Sequence, residues 1–460
     1  MLNLIAGIIA LTLYQVFRPS LIELSGTPPA FSFWTHPYNW LIFLGILVSG
    51  SFLAGLYPAF VLSSFQPATV LNGKMSTGTK GINLRKGLVI FQFSISTLLV
   101  AGTLAVFQQL QFMQSQDLGV TLDQTLVVRG PAAVDSTYRP RQDAFHEALE
   151  RNPKISTLAA SSTIPGNPEF SNAGGVRHWG APESEGNTVA FMWIDHGFMD
   201  LFEIGIEAGR NFEKGHFVDT NRVMLNVNAT QLFGFDEPGD AIGKELYFWG
   251  NRVQVVGVVK DYHQKSLKVA DRPMIFRYWP YLTSFHSMRV NTSDLPATLA
   301  FVEETFRQQF PNNPYEYFFA DEYFDRQYHA DQKFSKVFTA FSLLAILIAC
   351  LGLFGLASYA LSRRSKEMGI RKVLGASISQ LTILISREFV LLVLISNVLA
   401  LPLAVWGISN WLTNFPYRME LQWTLFVIPF FLILIVALLT ISSQTFKAAN
   451  TNPVEALRSE

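Results

Sequence analysis

Cysteine is nearly absent: the 460-residue chain has one, Cys350, set in an apolar run. One thiol cannot close an internal disulfide, so any exported domain must fold on packing alone. Charge is scarce as well. Asp, Glu, Lys and Arg make up 15% of residues, against about 25% in an ordinary soluble domain. The formal net charge is zero, and no basic tract resembles a nucleic-acid surface, so nucleic-acid partners are set aside. No stretch reads GxxxxGK[ST], the loop that cradles nucleotide phosphates, and no HExxH or GxSxG occurs. His146, His178, His196, His216, His263, His286 and His329 are scattered without i, i+4 pairing. Asp195–His196 and Asp261–His263 come nearest to a catalytic or metal pair, and neither has a third partner in sequence. Core or surface histidines are the better reading, so no catalytic residue, bound cofactor or metal is expected on this chain.

What is abundant is apolar. Hydrophobic residues reach 49%, Phe alone counts 39, and the mean hydropathy is +0.25. About 20 apolar residues cross the hydrocarbon as a helix, and six runs qualify: 2–17, 40–62, 88–107, 337–361, 378–406 and 421–443. The first lacks a positive leader and a cleavage site, and reads as a membrane helix rather than a signal peptide. Arg387 and Glu388, near the start of the fifth, are expected to pair or to snorkel to the interface. Lys74, Lys80, Arg85 and Lys86 lie between the second and third runs with no acid. Arg363, Arg364, Lys366, Arg371 and Lys372 lie between the fourth and fifth, against Glu367 alone. Cytoplasmic loops concentrate Lys and Arg, so both segments belong inside and both termini face the cytoplasm. The positive-poor segments 18–38 and 407–420 then lie outside.

About 220 residues of soluble composition separate the third and fourth runs and fall on the outer side, long enough for a core of their own or two small ones. Short β-rich runs at 125–129, 190–195, 222–227, 252–259 and 315–320 alternate with helix-like stretches at 141–151 and 296–310, which predicts a mixed α+β domain. The third run continues through 108–114, and the fourth is preceded by 322–336, both free of Gly and Pro. Helix formers without breakers continue as helix, so two membrane helices are expected to project as stalks. Many membrane helices overshoot the bilayer with no mechanical role, and the residues alone leave the two readings level.

The segment 362–377 reads SRRSKEMGIRKVLGAS. Positive-inside anchoring explains its charges but not Met368, Ile370, Val373 and Leu374 among them, nor Gly369 and Gly375. A short interfacial helix flanked by glycine turns fits better. The run Lys366, Glu367, Met368, Gly369, Ile370, Arg371, Lys372, Val373, Leu374, Gly375, Ala376, Ser377 resembles the E-x-G-[IV]-R-[KR]-x-[LI]-G-A-[ST] signature of FtsX/MacB-like ABC transporter permeases. Two further stretches are similar to that family. VVGVVKDYH, 255–263, resembles a run of its periplasmic core domain, and NPVEALRSE, 452–460, resembles its C-terminal ending. Residues 60–71, FVLSSFQPATVL, echo 446–457, FKAANTNPVEAL, in Phe, Pro and Leu at one spacing.

The resemblance implies an α-helical bundle of about six spans carrying a mixed α+β extracytoplasmic domain on helical stalks. Residues 1–74 become the tail of a first FtsX-like repeat, with two membrane spans and a cytoplasmic segment, and the chain is expected to be short at its N-terminal end. Residues 80–114 are then a membrane helix with stalk and 115–330 a MacB-like periplasmic core domain. Residues 331–460 are an FtsX-like permease domain with three spans and the coupling helix. The resemblance also implies a separate cytoplasmic ABC ATPase, bearing the ATP and Mg, that engages Lys366, Glu367, Met368, Gly369, Ile370, Arg371, Lys372, Leu374 and Gly375. Membrane lipids and a dimer or pseudo-dimer of permease halves are further expected partners, with room for a periplasmic adaptor. The expected setting is the bacterial inner (plasma) membrane. The function it implies is export or extrusion from the outer face by movement of the periplasmic domain. A non-transporting regulator of cell-wall hydrolases, or a lipoprotein-release device, is the alternative.

Overall fold

In the computed structural model the described residues are 2–25, 36–63, 79–167, 171–282, 284–363, 367, 370–371 and 374–449. The chain divides into two units. One comprises Met1–Gln109, Ala330–Trp411 and Glu420–Glu460, the other Leu110–His329 and Leu412–Met419.

The first unit is helical: α1 (Leu2–Ser25), α2 (Pro37–Ser63) and α3 (Thr79–Ser115) precede the outer lobe. Among the described residues, Arg85–Ser115, Ala320–Ser362, Thr382–Leu412 and Thr424–Phe446 are long and apolar enough to cross a membrane, and Pro37–Phe52 is a shorter apolar helix. Four of the six expected spans meet that measure. The first falls on α1, whose apolar run is interrupted by Asn3, Gln15, Arg18 and Pro19. Gly7 lets α1 rest on the Leu47 side chain of α2, and Asn3 Nδ2 donates to Ser51 Oγ at 2.9 Å.

Buried apolar positions on the four longer helices meet in one core: Val89 and Phe93, Leu353 and Ala357, Leu392 and Val393, Ile433 and Ala437. Lipid is as apolar as these side chains, so packing and interhelical hydrogen bonds hold such a bundle. Thr97 Oγ1 donates to the buried Asn397 Oδ1 at 3.2 Å, Ser94 Oγ to Ser396 O at 3.0 Å, and Thr103 and Ser342 hydroxyls meet at 2.7 Å. Each such bond contributes about 0.6 kcal/mol. Glu388 lies 3.9 Å from Lys86 Nζ, with both side chains part-exposed.

The outer lobe follows in the order β1 (Thr125–Arg129), α4 (Tyr138–Glu150), β2 (Ile155–Ser161), β3 (Ser171–His178), β4 (Asn187–Ile194), α5 (Phe198–Leu201), β5 (Ile206–Gly209), β6 (Arg222–Asn226) and α6 (Val227–Leu232). It continues with β7 (Glu245–Phe248), β8 (Asn251–Val259), β9 (Met274–Tyr278), β10 (Phe285–Val290), α7 (Leu295–Gln309), β11 (Tyr317–Phe319) and α8 (Ala320–Asp325). The chain then returns through α9 (His329–Arg363), α10 (Ile378–Leu412) and α11 (Thr424–Ala449). The strands run β11-β1-β10-β2-β4-β3-β7-β8-β6-β9, with β5 on β8 and a further pairing of β4 with β9. That last pairing is parallel, Ala190 to Met274 through Ile194 to Tyr278, and it closes β4, β3, β7, β8, β6 and β9 into a ring. Its interior is apolar, with Val189, Phe191, Leu225, Leu246, Phe248, Val255 and Ile275 among its residues.

The other strands form an open extension with both faces covered. Successive side chains of a strand point to opposite faces. Leu126 and Val128 of β1 therefore join Phe145 of α4 and Phe306 of α7 in one core. Val127 between them joins a second core with Phe198, Phe324 and Tyr328. Leu110 and Met113, at the outer end of α3, also belong to this second core. The expected projection of α3 is thus a packed part of the lobe. At about 1.5 Å per residue, the 37 residues of α3 reach roughly 55 Å, well past the ~30 Å hydrocarbon thickness. The α9 side behaves alike: α8, a short 3-10 turn over Arg326–Tyr328 and α9 follow one another without a loop.

Gly257 sits in β8 where a Cβ would drive into the Arg210 carbonyl, whereas Gly239 has nothing within 4 Å. Gly257→Val is expected to cost about 1–3 kcal/mol of lobe stability, the range for overpacking a tight site. Gly239→Ala is expected to change it by less than about 0.5 kcal/mol, as at an unconstrained surface position. Thermal unfolding of the detergent-solubilised chain checks both.

Candidate functional site

Between α9 and α10 the described residues of the predicted coupling segment are Glu367, Ile370, Arg371, Leu374, Gly375, Ala376 and Ser377. Lys366, Met368, Gly369 and Lys372 lie outside the described residues, as does the 452–460 ending. Glu367, Ile370 and Arg371 are helical, and Arg371 Nη2 reaches Glu367 Oε1 at 2.7 Å, one turn apart. The end of this helix follows from its sequence. Gly375 takes φ +91°, a conformation a side chain resists. Ala376 N–H then donates to Arg371 O at 2.9 Å, the bond that closes a helix around a left-handed glycine. Two residues later α10 opens with a reciprocal cap: Gln380 N–H donates to Ser377 Oγ at 3.3 Å and Ser377 N–H to Gln380 Oε1 at 3.1 Å. Ile370 and Leu374, four apart, are 49% and 79% exposed. A charged pair and an apolar pair thus share this helix and the turn that ends it, beside a hollow lined by Arg371, Leu374, Gly375, Ala376, Gln380 and Leu384.

The second region is the stretch that begins at VVGVVKDYH. Val255–Val259 is the inner part of β8, buried between ring neighbours. Asp261 Oδ1 accepts from Asn228 N–H at 3.1 Å in the first turn of α6, and burial raises its carboxyl above the ordinary value. Tyr262 is buried; its hydroxyl donates to Gln264 Oε1 at 2.9 Å, while Gln264 Nε2 donates to Ile164 O at 2.7 Å. His263 does not pair with Asp261. Its Nδ1 meets Asp271 Oδ1 at 2.9 Å.

This stretch also receives the chain where it enters and leaves the lobe. His263 N–H donates to Leu118 O at 2.9 Å, just beyond α3. Gly119, at φ +70°, leaves a Cβ no more than 3.0 Å from the Asp261 carbonyl. On the α9 side, Ser266 N–H donates to Gln327 Oε1 at 2.9 Å and Leu267 N–H to the Tyr328 hydroxyl at 3.2 Å. Sequence spacing could not reveal this junction; the resemblance of 255–263 was its only trace.

Asp195 accepts backbone N–H groups of Ala160 at 2.7 Å and Gly197 at 3.0 Å, which pins a turn. Burial pushes its carboxyl up to about 7 against those donors. His146 of α4 and His286 of β10, 140 residues apart, share a hydrogen bond of 2.9 Å, a pair no sequence spacing signalled. Burial pushes His286 down to about 4. Burial, with His286 beside it, also holds His146 well below the ordinary imidazole value. Among the described residues no three His, Cys, Asp or Glu side chains are grouped to hold a metal ion.

Comparison with known proteins matches two families in succession. Residues 88–300 match the MacB-like periplasmic core domain, and 339–453 match the FtsX-like permease C-terminal. The chain is 23% identical over 285 residues to the uncharacterized ABC transporter permease YvrN of Bacillus subtilis (strain 168), covering 58% of this chain and 69% of that protein. It is 22% identical over 283 residues to the uncharacterized ABC transporter permease YknZ of the same organism, with the same coverage. Among solved structures, the periplasmic region of MacB from Actinobacillus actinomycetemcomitans aligns with a TM-score of 0.32 at 12% identity, over 46% of this chain and 94% of that one. The extracellular domain of the transporter YknZ from Gram-positive bacteria aligns with a TM-score of 0.31 at 14% identity, over 42% and 99%.

The histidine pair predicts a pH dependence. Both imidazoles are depressed in the folded state, so their contribution is complete above the unfolded value of 6.5. It is lost as pH falls from there towards about 4, where the unfolded chain binds protons the folded lobe refuses. For His286 alone this amounts to about 3 kcal/mol. Asp195, raised in the fold, works in the opposite sense over this window and is common to both proteins compared. Between pH 7 and 4, thermal unfolding of the wild type should therefore fall more steeply than that of a His146→Leu/His286→Leu double variant.

Proposed function

This chain belongs to the FtsX/MacB-like family of ABC transporter permeases, and from that premise we propose that it converts ATP hydrolysis by a separate cytoplasmic ATPase into movement of its periplasmic-type lobe. The observation that carries this reading is the short helix between α9 and α10. Its apolar pair Ile370 and Leu374 is exposed, its Arg371 is fixed by Glu367, and it is closed at Gly375 and followed directly by the cap of α10. A helix with an exposed apolar face suits a groove on a second protein. Capped at the start of a membrane helix, it can pass a push into that helix.

On this reading the coupling segment and both termini face the cytoplasm of a bacterial inner membrane, and the lobe stands on the outer side. ATP and Mg belong to the partner ATPase, consistent with the absence of a phosphate-binding loop in this sequence. Two permease halves, as a dimer or pseudo-dimer, would present two coupling helices to two ATPases. The work done is export or extrusion from the outer face. A lobe with a closed ring as well as an open sheet favours substrate or adaptor handling over the regulation of cell-wall hydrolases.

Co-expression with the candidate ABC ATPases of its own genome tests the docking assignment. Arg371→Glu combined with Leu374→Glu is expected to reduce co-purification at least tenfold while the chain still inserts and its lobe resists protease. Undiminished pairing would reject the assignment.

A further inference from the structure

A third segment reaches the junction stretch. Between α10 and α11, Leu412–Met419 packs as part of the outer lobe, and Phe415 and Tyr417 lie against its core. The Tyr417 hydroxyl donates to Asp271 Oδ2 at 2.8 Å. The other oxygen of that carboxylate meets His263 Nδ1 at 2.9 Å. The triangle closes with the rings of His263 and Tyr417 edge to face, their centroids 4.8 Å apart. The His263 and Asp271 side chains are only 15% and 16% exposed, so water competes weakly for these bonds. Burial and the neighbouring carboxylate push the Tyr417 phenol up to about 12, so it remains a donor throughout the physiological range.

We propose that Tyr417, Asp271 and His263 form a latch by which the loop joining the last two membrane helices grips the lobe, giving α10 and α11 their own mechanical connection to it. The inference rests on the mechanical reading of the function and deepens it, since α10 is the helix capped onto the coupling segment. Apolar contact through Phe415 would be enough to seat a passive loop. A carboxylate held between two donors adds direction. It resists sliding, and it can release and re-form without unseating the loop. The latch also gives His263, last residue of the 255–263 run, a task beyond filling the core: it faces Asp271 with its side chain and Leu118 with its N–H.

Amide hydrogen exchange of the full chain in nanodiscs tests the latch. Tyr417→Phe keeps the ring and removes only the hydroxyl, so folding is retained. Exchange is expected to rise about fivefold or more, a cooperative loss of the order that one hydrogen bond to a charged group supplies. The rise should cover both 413–419 and 264–271, with β2 and β10 unchanged. Asp271→Asn, which weakens the His263 contact as well, should act on the same two segments, and the double variant should exceed Asp271→Asn alone by little, because the Tyr417 bond is shared. Unchanged exchange across 264–271 in Tyr417→Phe, or additive effects in the double variant, would overturn the latch. With an ATPase bound, ATP should alter exchange across 268–271 and 413–419 in the wild type but not in Tyr417→Phe at an equal hydrolysis rate. Persistence of that response in the variant would overturn the latch as a transmitter. The nanodisc arm reads this chain alone, so its failure leaves the functional reading standing. Loss of all ATPase pairing would instead contradict that reading with the latch intact.

Discussion

Residues 261–271 take hold of the lobe's connections to the membrane helices, and the rest of the structure depends on that convergence. Leu118 is held through the His263 N–H, Gln327 and Tyr328 through the N–H groups of Ser266 and Leu267, and Tyr417 through Asp271. These are backbone donors or a shared carboxylate, carried on the loop between β8 and β9. Val255–Val259 is buried in the ring, and Tyr262 is tied to Gln264. The junction therefore begins where β8 leaves the ring. Closing β4 on β9 leaves that ring no free edge along its circuit.

The membrane helices show the complementary arrangement. Their outward faces are apolar, and a small set of polar side chains links α3 to α10 and α9. Thr97 meets Asn397, and Thr103 meets Ser342. Such bonds contribute modestly but fix which residues face one another. At the other end of α10 the Ser377–Gln380 cap follows the short preceding helix with only Ala376 between it and the Gly375 turn. One helix thus has a defined start beside the Gly375 turn and, at its far end, a loop held by Asp271.

Much of this architecture is legible in the sequence. Short β-rich runs mark β1 and β8, helix-like stretches mark α4 and α7, and the lack of Gly or Pro after 107 marks the continuation of α3. What periodicity cannot give is pairing between distant segments. The parallel match of β4 with β9 joins residues 84 positions apart, Ala190 with Met274. The His146–His286 and Tyr417–Asp271 contacts span 140 and 146 positions. Nothing local to Tyr417, in a short loop with one Arg and one Glu, distinguishes it from a solvent-facing tyrosine. At Gly375 the reverse holds, because a glycine stop is local chemistry. The Asp195–His196 and Asp261–His263 neighbours suggested pairs that the fold separates: each carboxylate turns to backbone N–H groups, and His263 to a different carboxylate.

The most direct test of the account is a distance measurement. Cys350 is the single native thiol, so its replacement frees the chain for two spin labels, one on the exposed face of α7 in the lobe and one near Gly375. Reconstituted with its ATPase, the pair should change its distance distribution when ATP binds and return after hydrolysis. A distribution that stays fixed through the nucleotide cycle, with the ATPase bound and turning over, would contradict the claim that this chain moves its lobe by force delivered from below.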